Sequence, residues 1–141
     1  MRIKKYVFDT NIFISYIITN KQLFLAQIVL DENLKIFYCT ELLEELKRVL
    51  TYPNLKKYNI NISEAVHFVK SICYLHTLEY PIKKYIPTDE ADNYIIALAL
   101  QTNSGFVTSG DKDILSQKAN LEKKYTKLKI ITKAEFEKRF A

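Results

Sequence analysis

The stretch YVFDTNIFIS at residues 6–15 contains an apolar run that stops abruptly at an acid, Asp9. The run begins at Ile3, and its short length and strand-forming residues predict a buried strand over Ile3–Phe8. A carboxylate that directly follows such a strand projects beyond the carboxyl end of the sheet, where open α/β sheets bind ligands. Asp9 is therefore a candidate functional residue; the alternative is that it only caps the following helix.

Working outward from this stretch, predicted strands and helices alternate along the chain. Further strands are predicted at Leu34–Cys39, Phe106–Thr108 and Leu128–Ile131, with a weaker candidate near Leu75–Leu78. Helices are predicted at Phe24–Leu30, Glu41–Leu50, Ser63–Cys73, Asp89–Gln101 and Ala134–Phe140. This alternation is typical of α/β proteins, with a mostly parallel sheet of four to five strands between two layers of helices.

The amino-acid composition limits the classes of protein to which this chain can belong. The chain has 141 residues, 48% of them hydrophobic and 26% charged, which suits one globular domain over residues 1–141. No apolar run approaches the roughly 20 residues that a membrane helix needs, and the basic N-terminus lacks the features of a signal peptide. We therefore expect a cytoplasmic protein without a membrane anchor. The glycine-rich motifs of dinucleotide-binding and P-loop proteins are absent.

The cysteines and histidines argue against zinc and against nucleophilic catalysis. Cys39 and Cys73 lie in apolar neighbourhoods and are predicted to be buried. His67 and His76 are nine positions apart, which is not the spacing that places two imidazoles on one metal ion.

The net charge of +5 suits a polyanionic partner, although the lysines are scattered and could equally form solvated faces.

A second acid lies at the border of an amphipathic helix. In TELLEELKRVL, at residues 40–50, the leucines form an apolar stripe. At 100° per residue, Glu44 falls nearly opposite that stripe and Glu45 falls at its edge. A carboxylate that faces a crevice belongs at the edge, so Glu45 is preferred, while Glu44 stays an alternative and a solvated role for either is the ordinary one.

A third acid opens a helix that is apolar on all sides. In TDEADNYIIALAL, at residues 88–100, Asp92 lies on the same face as Ile95 and Ile96. A buried acid costs several kcal/mol unless it meets a cation or hydrogen-bond donors. If Asp89 is the N-cap, Asp92 instead occupies the third position of a capping-box-like pair, and capping is compatible with metal binding. Asp89 is thus a predicted cap and a candidate supporting acid.

A fourth acidic segment follows a third strand. In GFVTSGDKDIL, at residues 105–115, the strand ends at Thr108 and a tight turn brings Asp111 over the edge of the sheet. Asp111 and Asp113 could also form only a turn with a capping side chain. Acids gathered at one sheet edge repel unless a cation binds them, and all-oxygen ligation favours Mg²⁺ or Mn²⁺. Such ions activate water and shield phosphoryl oxygens in phosphodiester hydrolysis.

The chain resembles the PIN-domain ribonucleases, in particular the VapC-like toxins of bacterial toxin–antitoxin systems. The resemblance spans nearly the whole chain and rests on four motifs in order: VFDTNIFIS (7–15), LLEELKRVL (42–50), TDEADNYIIALAL (88–100) and VTSGDKDIL (107–115). The closing segment ITKAEFEKRF at 131–140 is also similar to the usual end of the family.

This resemblance implies roles for particular residues. The family's acidic metal-binding set matches Asp9, Glu45, Asp92 and Asp111, its neighbouring polar positions match Asn11 and Ser109, and Asp113 matches an acid found in many members. The one departure is Ser109 where threonine is common, and serine keeps the hydroxyl. The resemblance further implies a Rossmann-like α/β/α sandwich, Mg²⁺ or Mn²⁺, cleavage of single-stranded or structured RNA, a homodimer, and an antitoxin that blocks the site.

Three other hypotheses compete with the metal-dependent nuclease. A phosphatase of the haloacid-dehalogenase type needs a second acid two residues after the nucleophilic aspartate, and Asn11 stands there. A response-regulator receiver domain needs a lysine after a late strand, which Lys112 and Lys133 fit poorly. A PIN-like module that binds RNA or protein without cutting is the remaining alternative, and the presence of all four acids argues against it.

Overall fold

The computed structural model describes residues 4–87 and 90–141, which form one parallel sheet flanked by helices. Its strands are β1 (Lys4–Phe8), β2 (Leu34–Tyr38), β3 (Cys73–Leu75), β4 (Phe106–Thr108) and β5 (Lys129–Ile131). They lie in the order β3-β2-β1-β4-β5, and every pair is parallel. The predicted α/β/α class and parallel sheet are therefore confirmed.

Eight α-helices connect and cover the strands in the described part of the chain. They are α1 (Thr10–Ile18), α2 (Gln22–Asp31), α3 (Thr40–Leu50), α4 (Ile62–Ile72), α5 (Asn93–Gln101), α6 (Lys112–Ser116), α7 (Lys118–Lys124) and α8 (Lys133–Lys138). Short 3₁₀ turns occupy Pro53–Tyr58 and Glu90–Asp92. Within the described residues no single helix is long and apolar enough to cross a membrane, and α1 and α2, which together would be, meet at a 120° bend.

The central position of β1 determines where the acids meet. Its register pairs Phe8 with Thr108 of β4, so the two strands end side by side. The backbone N–H of Asp9 donates to the carbonyl of Thr108 at 2.9 Å, which extends the pairing by one residue. Because all the strands run the same way, the residues after their ends collect at one edge, which we call the carboxyl edge.

Aromatic side chains fix one face of β1. Phe8 packs edge-on against Phe136 of α8 at 5.0 Å between ring centroids and lies tilted against Phe13 of α1 at 5.5 Å. Tyr6, two residues earlier on the same face, also meets Phe136 edge-on at 5.4 Å. All four rings are fully buried. Burial of each ring contributes about 1.5–3 kcal/mol to the free energy of folding, and together the rings hold the strand that precedes Asp9.

The helix that follows Asp92 covers the middle of the sheet. Every residue from Asn93 to Ala99 is buried, as the all-apolar sequence predicts. The prediction that this helix begins at Asp89 is wrong in part, because α5 begins at Asn93 and a single 3₁₀ turn over Glu90–Asp92 precedes it. Asp92 therefore stands directly before α5 rather than inside its first turn, and Asp89 lies outside the described residues.

Several other element boundaries also differ from the prediction by one to three residues. The weak strand expected near Leu75–Leu78 lies instead at Cys73–Leu75, so α4 ends at Ile72 and not at Cys73. The helix α1 was not predicted, because its sequence TNIFISYII is apolar on nearly every side and shows no helical period.

Candidate active site

Asp9 and Ser109 are hydrogen-bonded across the two central strand ends. The hydroxyl of Ser109 donates to Oδ2 of Asp9 at 2.8 Å, and the backbone N–H of Thr10 donates to Oδ1 at 2.7 Å. The same hydroxyl oxygen accepts the N–H of Asp111 at 3.0 Å. Asp9 is only 2% exposed. Ser109 thus connects the acid after β1 to the acid after β4 through one side chain.

Three carboxylates converge most closely beside this pair. One oxygen atom from each of Asp92, Asp111 and Asp113 lies within 4.8 Å of the other two. Asp111 caps α6, with its Oδ1 accepting the N–H groups of Asp113 at 2.8 Å and Ile114 at 3.3 Å. The cap fixes that carboxylate in place. The capping alternative and a ligand role are therefore both compatible with the observed position of Asp111.

The two candidate glutamates of α3, Glu44 and Glu45, have different surroundings. Glu45 has a side chain that is 18% exposed, with its carboxylate 3.9 Å from the Arg48 guanidinium. Glu44 has a side chain that is 63% exposed and lies 3.5 Å from the ammonium of Lys47. The charge of Glu45 also reaches Asp9, whose pKa it raises. Of the two alternatives, Glu45 is the less exposed and the one whose charge acts on Asp9.

Burial raises the pKa of Asp9 from 3.8 to about 6. The hydrogen bonds from Ser109 and from the Thr10 N–H lower that pKa, and the negative charges of Glu45 and Asp111 raise it. Loss of hydration is the largest of these effects, so the ionised carboxylate is held at a cost. A cation beside Asp9 would offset both the burial and the repulsion.

A buried tyrosine borders the acids, and the sequence did not reveal it. The hydroxyl of Tyr94, on α5, lies 3.3 Å from the hydroxyl of Thr10. Both residues are buried, and the pKa of Tyr94 is raised by burial and by the charges of Glu45 and Asp9. Tyr94 appeared only as one apolar residue of an apolar helix. Its position beside Asp92 in the sequence was the available signal.

The other predicted site residues, Asn11 and Asp113, differ in how close they lie to the acids. Asn11 lies in the first turn of α1 and is exposed, and none of the hydrogen bonds among the described residues joins it to an acid of the site. Asp113, which the sequence ranked as a supporting residue, is instead one of the three closest acids. Cys39 and Cys73 are buried and not disulfide-bonded, as predicted, and burial raises the pKa of the Cys39 thiol to about 12.

The chemistry of the donors suits a hard divalent cation. Five acids gather at the carboxyl edge, and the ligand atoms they offer are carboxylate oxygens, the type that Mg²⁺ and Mn²⁺ prefer. The five acids are Asp9, Glu45, Asp92, Asp111 and Asp113. In the described part of the chain, the one group of acids, histidines or cysteines close enough to hold a metal consists of Asp92, Asp111 and Asp113.

Comparison with known proteins identifies a matching family and a similar fold. Residues 5–113 match the model of a family described as PIN domain. A chain of the VapBC2 complex from Rickettsia felis, crystallised with a DNA fragment from its promoter, has a similar fold, with a TM-score of 0.58 and 14% identity. The match covers 91% of this chain and 98% of that one. The curated proteins include no match.

Proposed function

The chain belongs to the PIN domain family, and we propose that it is a Mg²⁺- or Mn²⁺-dependent endoribonuclease. The observation that carries the proposal is the convergence of Asp92, Asp111 and Asp113 within 4.8 Å, beside the buried Asp9. Carboxylates this close repel one another in the absence of a cation, and the burial of Asp9 and Asp92 adds to that cost. The substrate that suits a hard metal ion and a basic surface is a phosphodiester of RNA.

The residues divide into ligands, a proton acceptor and supports. Asp9, Asp92 and Asp111 would hold one or two cations, with Asp113 as a further ligand. Once bound, the metal supplies the acidity that turns water into a nucleophile and neutralises charge on the phosphate. Glu45 would ligate a cation or orient the attacking water and accept its proton. Ser109 positions Asp9 through its hydrogen bond, and Asn11 would donate to a phosphate oxygen.

We further propose that the protein is the toxin of a toxin–antitoxin pair and acts in the cytoplasm. The similar fold in VapBC2 supports an antitoxin as the partner. The helix α2 exposes Leu23, Phe24 and Leu30, an apolar surface of the kind that binds another protein. A homodimer is a separate part of the proposal, and light scattering of the purified chain tests it: a monomer at micromolar concentration would refute the dimer alone.

Cleavage of a mixed single-stranded RNA tests the proposed activity. We expect cleavage with Mn²⁺, no cleavage with EDTA, and a loss of about 10³-fold or more in Asp92→Asn with the fold retained, as removal of a central charge implies. The matched control is Asp31→Asn, an exposed acid on α2 outside the site. Cleavage by Asp92→Asn at the wild-type rate would refute the assignment. A folded protein that neither cuts RNA nor binds metal would be a binding module.

A further inference from the structure

A basic groove crosses the surface on the side of β5, and it consists of three clefts that share residues. The first, of about 640 Å³, is lined by Lys4, Lys5, Lys127 and Arg139. The second, of about 320 Å³, shares Lys127 with the first and adds Lys124. The third, of about 240 Å³, shares Lys124 with the second and adds Lys83. We define the basic groove by these six cations: Lys4, Lys5, Lys83, Lys124, Lys127 and Arg139.

The six cations of the basic groove differ from the paired lysines found elsewhere in the described part of the chain. Among the described residues, no carboxylate lies within 4.0 Å of any of its six cations, whereas Lys47 and Lys118 elsewhere are paired with glutamates. Five of the six are exposed, and Lys5 is half-buried, with its ammonium donating to the Thr102 carbonyl at 3.3 Å. A run of unneutralised cations attracts a polyanion and releases the counterions that the polyanion carries.

Aromatic rings favour a nucleic acid over an acidic protein as the ligand. Tyr125 lines the second and third clefts, and its ring packs edge-on against Tyr85 at 6.0 Å, with both rings half-buried. Arg139 is held over the Phe106 ring at 4.3 Å, which fixes its guanidinium at the first cleft. Grooves that bind single strands combine cations for the phosphates with aromatic faces for the bases, whereas an acidic peptide needs only the cations.

The basic groove extends from the carboxyl ends of the β-strands to their amino ends. Its third cleft includes Tyr85, and the next residue, Ile86, donates its N–H to the Asn93 side chain at 2.7 Å, one residue after Asp92. The opposite end is lined by Lys4 and Phe106, where β1 and β4 begin. An RNA strand lying in the basic groove would therefore have one part beside the acids, at the carboxyl ends of the β-strands. Another part would lie near the amino ends of the same β-strands.

We propose that the basic groove is a binding site for single-stranded RNA outside the acidic site, which holds the substrate on one side of the cut. The proposal rests on the proposed function for the identity of the substrate. It predicts that RNA long enough to fill the basic groove binds more tightly than a fragment that reaches only the acids. It also predicts that cations far from the chemistry affect the binding of long RNA alone.

Binding without cleavage is the first test. We would measure the Kd of a fluorescent 20-nucleotide single-stranded RNA in EDTA for wild type, Lys124→Ala/Lys127→Ala, and the control Lys56→Ala/Lys70→Ala. The control removes two exposed lysines from the side of the molecule that carries β3. We expect about a tenfold weaker Kd for the groove variant, and a plot of log K against log salt that is shallower by about 1.4 for two lost phosphate contacts.

Three results would overturn the proposal. The first is equal binding by the groove variant and the control. The second is tighter binding of poly-glutamate than of RNA, which would make the groove a site for an acidic protein. The third is a preference for duplex DNA of equal length. Circular dichroism confirms that both variants fold, and Tyr85→Leu should weaken RNA binding several-fold while leaving poly-glutamate binding unchanged.

Cleavage kinetics separate this proposal from the proposed function. For a 20-nucleotide substrate, Lys124→Ala/Lys127→Ala should raise KM about tenfold and leave kcat unchanged. For a four-nucleotide substrate, the variant should match wild type in both constants. A protein that binds RNA through the basic groove but never cuts would refute the nuclease and support the groove. A protein that cuts both substrates with unchanged constants in the variant would refute the groove and support the nuclease.

Discussion

The two edges of the parallel sheet differ in charge and in how that charge meets water. The carboxyl edge holds Asp9 and Asp92, which are 2% and 7% exposed. The opposite edge carries Lys4, Lys127 and Arg139, all exposed. Desolvated charges cost folding free energy, whereas solvated lysines cost little and act through their field. Changes at the carboxyl edge should therefore alter rate and stability, and changes at the opposite edge should alter affinity and salt dependence.

The sharpest test of this difference uses two neighbouring acids of α3. Glu45→Gln should lower kcat for RNA cleavage by about 10²-fold or more, because a carboxylate that accepts a proton or holds a cation contributes that much. Glu44→Gln should leave kcat within twofold, because that side chain is solvated and paired with Lys47. Both substitutions remove one negative charge one residue apart, so they differ only in which way the side chain faces.

Kinetics at saturating Mn²⁺ distinguish the two variants. If Glu44→Gln loses activity and Glu45→Gln does not, the alternative left open by the sequence is the correct one. If both retain full activity, neither Glu44 nor Glu45 takes part in the reaction. The thermal midpoints of both variants should stay near that of wild type, because neither glutamate is fully buried.

The second test concerns the cost of a buried charge without metal. Asp9→Asn should abolish cleavage and yet stabilise the metal-free protein at pH 7, by up to about 3 kcal/mol for a pKa raised from 3.8 to about 6. The sign follows from proton binding. Between these two pH values the folded protein binds more protons than the unfolded chain, so the unfolding free energy of wild type falls as pH rises.

Denaturant unfolding in EDTA at pH 4, 5, 6 and 7 measures this effect. The stability advantage of Asp9→Asn should grow across that window and level off above pH 6. Adding Mn²⁺ should stabilise wild type more than the variant, because the cation binds the folded state through a ligand that the variant lacks. Parallel stability curves for the two proteins would show that Asp9 has an ordinary pKa in the metal-free state.

The positions of three acids near the carboxyl edge could be predicted from the sequence because each one interrupts an apolar pattern. Asp9 stops a strand, Asp92 precedes an all-apolar helix, and Asp111 follows a strand by a turn. The strand at Phe106–Thr108 was predicted with its observed bounds. Parallel topology then placed the strand ends together, which required no knowledge of side-chain contacts.

Other parts of the site depend on three-dimensional packing that one-dimensional patterns do not contain. The helix α1 is buried on most sides, so its sequence has no polar face to reveal its period. The prominence of Asp113 depends on how the Asp111 cap orients the first turn of α6. The contact between Thr10 and Tyr94 joins residues 84 positions apart, and nothing local in the sequence marks it.

The smallest expected effect concerns that same contact. Tyr94→Phe removes a buried hydroxyl that lies 3.3 Å from Thr10, and it should cost about 1 kcal/mol of stability. Because the Thr10 N–H holds Asp9, a looser Thr10 should also lower kcat several-fold while leaving KM unchanged. Tyr94 would then be a positioning residue that acts through Asp9.

A second tyrosine provides the control for this prediction. Tyr16→Phe removes another partly buried hydroxyl, which donates to Glu137 at 2.7 Å on α8, and that contact involves none of the five acids. It should lower stability by a similar amount and leave kcat at the wild-type value. If Tyr94→Phe also keeps wild-type kcat while both variants lose stability, the Tyr94 hydroxyl supports the fold alone. The carboxyl edge would then depend on its acids and on Ser109 for its geometry.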